Sequence, residues 1–119
     1  MKTILRFVIL MAIFTSMLLV FSQDDTHECP HSGATIANLQ GCVNHAAEMG
    51  HIDNQGIVSA LQAKLNAAQS ALNRGQTNVT VSNLNAFINL VQAQSGKHIE
   101  SQHASHMIQH ARDVIAAIS

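Results

Sequence analysis

Two cysteines and eight histidines are the residues of this chain with the most chemistry available to them. Cys29 and Cys42 are an even pair, which in an exported protein reads as a disulfide. The bond would close a loop of about 14 residues, and loop-closure entropy then contributes about 3 kcal/mol of stability. The other reading of the same region is a metal site, in which His27, Cys29 and His31 cluster and Cys42 with His45 supply a second pair from one helical turn. Single cysteines with twelve residues between them lack the paired Cys-x-x-Cys of zinc domains. A second set lies near the C-terminus. His103, His106 and His110 recur three and four residues apart, which puts them in one stripe of a helix, with His98 just upstream. Imidazoles so spaced can chelate Zn, Ni or Cu. The bland alternative is a row of surface histidines, since the stripe lies about 115° from the centre of the helix's apolar face and should be solvated.

No catalytic constellation accompanies these groups. There is no Gly-x-Ser-x-Gly elbow and no glycine-rich phosphate loop, and the carboxylates are too sparse to nominate an acid/base pair. The expectation is a non-enzyme with no obligatory cofactor. Asn78-Val79-Thr80 fits a glycosylation sequon, a short pattern common by chance.

The elements that must position these residues follow an apolar leader. Lys2 and Arg6 precede the run Phe7 to Phe21, broken only by Thr15 and Ser16, the form of a signal peptide over residues 1–22. The run is shorter than the ~20 residues of a spanning helix, so cleavage is expected, and with it a secreted or periplasmic location without a membrane anchor. Removing the leader leaves four basic residues (Lys64, Arg74, Lys97, Arg112) against seven acidic ones, a net charge of −3 that does not favour nucleic acid. Protonating all eight histidines would carry it to +5.

Residues 23–33, with Pro30 and Gly33, read as an extended arm. Beyond it, helical periodicity predicts an all-α domain over 34–119, a small four-helix bundle. Ile36, Leu39, Val43 and Ala46 mark a helix over 34–49, stopped by Gly50. Asp53 is the expected N-cap of a second helix over 54–74, with Val58, Leu61, Leu65, Ala68 and Leu72 on its inner face and Gly75 at its end. Thr77 or Asn78 caps a third, with Val81, Leu84, Phe87, Ile88 and Val91 inward and Gly96 as the stop. A fourth begins near residue 101 and turns Ala104, Met107, Ile108, Ala111, Ile115 and Ile118 to the core. Phe87 is the one aromatic residue after the leader.

The two halves resemble each other. Asn38-Leu39 through Val43-Asn44 matches Asn83-Leu84 through Ile88-Asn89, and Gly50-His51-Ile52-Asp53 resembles Gly96-Lys97-His98-Ile99-Glu100. After a two-residue shift, Ile57, Leu61 and Ala68 fall on Ala104, Ile108 and Ile115. A hairpin duplication predicts two helical pairs about a pseudo-twofold axis, with Ile52 and Ile99 plugging equivalent corners. Ala-rich helices also align by chance, and the spacing alone leaves both origins open.

Leu61, Ala63, Lys64 and Leu65, then Asn85-Ala86-Phe87-Ile88 with Val91 and Ala93, then Gly96-Lys97 and Ile99, and finally Ala104, Ile108, Ala111 and Ile115 form one further pattern. Over about 56–118 it resembles the FIMAH domain, a helical module of bacterial secreted proteins. The resemblance implies a helical fold and no assigned catalytic role, as such modules sit beside enzyme or adhesion domains. The expected partner is a protein or an extracellular surface component. The alternative is a periplasmic metal buffer or sensor built on the histidine-rich helix.

Overall fold

The computed structural model describes residues 33–119, so the leader and the arm with His27, Cys29 and His31 lie outside the described residues. Four helices follow one another: α1 (Ile36–Glu48), α2 (Gln55–Asn73), α3 (Thr77–Gln94) and α4 (Ser101–Ile118). No β-strand occurs among the described residues, and no helix there is long and apolar enough to cross a membrane.

Each helix begins and ends for a local reason. Thr35 starts α1, its Oγ1 accepting the Asn38 N–H at 3.1 Å. The expected cap at Asp53 moves one residue on: Asn54 caps α2 by accepting the Ile57 N–H at 3.2 Å, which leaves the Asp53 carboxylate for another partner. Neither Thr77 nor Asn78 caps α3, since Thr77 is already helical and Gln76, the residue before it, makes no side-chain cap bond. The glycine stops hold. Gly50 and Gly96 turn the chain through the left-handed region, at φ of 81° and 75°.

The helices close a ring in which α1 packs on α2 and α4, while α3 packs on the same two. Ile36, Leu39, Val43 and Ala46 of α1 meet Val58, Leu61, Leu65 and Ala68 of α2, and Leu84, Phe87, Ile88 and Val91 of α3 complete the core with Ala104, Met107, Ala111 and Val114 of α4. The periodicity located these faces with three local rotations. At the end of α2 the buried position is Ala71, and the expected Leu72 is only partly buried. On α3 the buried position is Thr80, not Val81; its hydroxyl donates to the Gln76 carbonyl at 2.9 Å, so its one buried polar atom is satisfied inside the helix. On α4 the face turns toward His103 and Val114, leaving Ile108, Ile115 and Ile118 partly buried at its edge. His103 therefore leaves the solvated flank expected for it and is only 4% exposed.

Candidate functional site: the joint between the two hairpins

The α1–α2 corner contains His51-Ile52-Asp53 and the α3–α4 corner His98-Ile99-Glu100. The two triplets run antiparallel and pair as an isolated bridge centred on Ile52 and Ile99. The Asp53 N–H donates to the His98 carbonyl at 3.0 Å, and the Glu100 N–H donates to the His51 carbonyl at 2.9 Å. Ile52 and Ile99 are thus a non-hydrogen-bonded antiparallel pair, the type in which side chains stand closest. Both are buried in the common core.

Alternation along an extended segment sends the flanking residues outward when the isoleucines point in. They meet across the joint in reciprocal fashion. His51 Nδ1 lies 2.5 Å from Glu100 Oε2, and His98 Nδ1 lies 2.8 Å from Asp53 Oδ1. Exchanging the two hairpins exchanges the two pairs, and the ring of helix contacts maps onto itself in the same operation. The corners are equivalent in the sense that the internal repeat predicts.

One side chain breaks the equivalence. His103, in the first turn of α4, stacks on His51 with ring centroids 3.7 Å apart and planes 15° from parallel, and its Nδ1 is 3.2 Å from the same Glu100 Oε2. At the offset that brings Ile52 onto Ile99, the position matching His103 is Gly56. Three donor groups consequently converge on one side of the joint and two on the other. The three are His51, Glu100 and His103, with one ligand atom from each within 4.8 Å of the others, and among the described residues they are the one such group of histidine, cysteine and acidic side chains. A shallow cleft of about 430 Å³ opens beside them, bordered by Gly50, Asp53, Lys97 and His98.

Electrostatics set the state of the buried ring. Desolvation lowers the His103 pKa below 6.5, His51 and more weakly His106 push it the same way, and Glu100 opposes them. Burial therefore favours the uncharged form of the His103 imidazole.

The histidine row of α4 does not gather at one point. His106 is half-buried, its ring centroid 6.4 Å from that of His103 and the planes tilted by 53°. His110 faces the opposite end of the stripe, where its Nε2–H donates to the Gly33 carbonyl at 3.1 Å and its Nδ1 lies 3.5 Å from Cys42 Sγ. His98 belongs to the Asp53 pair. Cys42 is buried on α1, and His45 is half-buried on the same helix. His51 and Glu100 were absent from the residues singled out by spacing, although the likeness of the two Gly-His loops held the signal. What spacing omits is that the loops lie antiparallel, so each histidine meets the acid of the other loop.

The family model of the FIMAH domain matches residues 36–116, from the start of α1 nearly to the end of α4. The chain belongs to the FIMAH family. The match is wider than the resemblance over 56–118, because it takes in α1 and the first corner. The FIMAH unit is therefore the whole four-helix ring, and the joint lies within it. No curated protein and no solved structure matches the chain.

Proposed function

We propose that this FIMAH chain is a non-catalytic interaction module that works outside the cytoplasm, in the periplasm or the medium, on a protein or an extracellular surface component. The observation that carries the reading is the family match over the entire helical ring, a helical module with no assigned catalytic role. The charged leader Lys2 to Phe21 supports export. We include in the proposal a Cys29–Cys42 disulfide, which the even cysteine count of an exported chain supports.

Three measurements test the reading together. Expressed in a bacterial host, the chain should be recovered outside the cytoplasm with a new N-terminus near Gln23, and its intact mass should change on reduction and alkylation as one disulfide requires. The purified protein should sediment with the envelope of whole bacterial cells; loss of sedimentation after protease treatment of those cells identifies a protein partner, and retention identifies another surface component. Recovery in the cytoplasm with an intact leader, or no sedimentation with any envelope tested, defeats the proposal.

A further inference from the structure

We propose that His51, Glu100 and His103 form a binding site for a divalent d-block cation, Zn2+ by preference, which clamps one hairpin to the other. The donor set is two imidazoles and one carboxylate, the ligand types zinc takes at 2.0–2.2 Å, with a fourth position for water from the adjoining cleft. Around a tetrahedral ion such ligands stand about 3.3 Å apart. His103 Nδ1 and Glu100 Oε2 are already 3.2 Å apart, while the 2.5 Å contact of His51 with the same oxygen must open by under ~1 Å. The stacked rings must also splay, because parallel imidazoles do not aim their lone pairs at a common point. The broad χ2 torsion of histidine permits that rotation.

Three features argue for a site beyond simple proximity. The donors come from two segments, His51 from the first corner and Glu100 with His103 from the start of α4, so an ion there joins parts distant along the chain. His103 is held in the core wall at 4% exposure, which fixes one ligand rigidly. The carboxylate of Glu100 supplies negative charge at the N-terminus of α4, where the helix dipole alone would repel a cation. The reciprocal pair His98–Asp53 has Gly56 where the third donor would stand, and serves as an internal control.

The test is a Zn2+ titration of the purified full chain at pH 7.5 by calorimetry, with thermal unfolding followed by circular dichroism. Stoichiometric binding and a raised Tm are expected in the wild type. H51A, E100Q and H103A should each weaken Zn2+ at least tenfold, while H98A, H106A and H110A should leave it within twofold. E100Q and H51A change partly exposed side chains and keep the bundle folded should H103A fail to fold. The NMR signals of the His51 and His103 rings should shift on metal addition, reporting the loss of their stack. Absence of binding at 0.1 mM Zn2+, binding unchanged in H51A and E100Q, or binding abolished by H106A or H110A would each overturn the site; the last would place the metal on the helix stripe instead.

Discussion

Truncating Ile52 and Ile99, singly and together, tests the equivalence of the corners most directly. Each is an isoleucine at 4% and 1% exposure in the shared core, so replacement by alanine removes buried methylenes and leaves a cavity, at a cost of about 3 kcal/mol each within a usual range of ~2–5. Equivalent surroundings make the two costs equal to within about 1 kcal/mol. Because the side chains face each other across a non-hydrogen-bonded pair, the first truncation already removes part of what the second would lose. The double variant should therefore fall short of the sum by about 0.5–2 kcal/mol. Urea unfolding followed by circular dichroism measures all four proteins, with the slope against urea checked for constancy. Costs differing by more than ~2 kcal/mol, or strictly additive to within ~0.3, would refute the reasoning. The first would mean that the corners are not equivalent, the second that the bridge does not couple them.

Other consequences concern the core, the caps and pH. Phe87→Ala should cost about 3–5 kcal/mol, a large share of the ~5–15 available to a domain, and lower the urea midpoint more than truncation of the exposed Val79. Thr35→Ala should cost about 1 kcal/mol by removing a cap bond, whereas Thr77→Ala, with no such bond to lose, should stay within ~0.5, both read from the same urea curves. In metal-free buffer, stability should be full above pH about 6.5 and decline as pH falls below it. The sign follows from burial: the folded-state pKa of His103 lies below the unfolded value, so the unfolded chain takes up the proton first, with His51 and His106 adding to the effect and Glu100 opposing it. Replacing His103 by Gln should flatten that decline in unfolding curves measured between pH 5 and 7.5, and an unchanged slope would show that the buried ring is not its source.

Much of the fold was legible because its signals are local. The glycine stops at 50, 75 and 96 and the apolar spacing of each helix act within a few residues of the backbone they shape. The errors were local too. Asp53 looked like a cap because Asp and Asn are both good caps, and what decides between neighbours is that the Asp53 carboxylate is drawn to His98, 45 residues away. The burial of His103 was hidden for a related reason. A helix's apolar moment averages over its length, and Ile108, Ile115 and Ile118 pull the predicted centre away from the first turn, where the Ile52–Ile99 joint leaves space that His103 fills against His51. The three-donor cluster needs both facts at once, a rotated helix and antiparallel corners. Neither is encoded in the spacing of any one segment.

The reciprocal joint also bears on what half of this chain would do alone. A fragment ending at Gly75 would expose the apolar sides of α1 and α2 together with His51-Ile52-Asp53, a surface shaped to receive a hairpin of nearly the same kind. Two such fragments could meet through a true twofold axis, Ile52 against Ile52, with each His51 reaching the Asp53 of the other copy as it now reaches Glu100. The ring would then close from two chains instead of one, and the loop at Gly75 would be the place where folding in one molecule and exchange between two become alternatives.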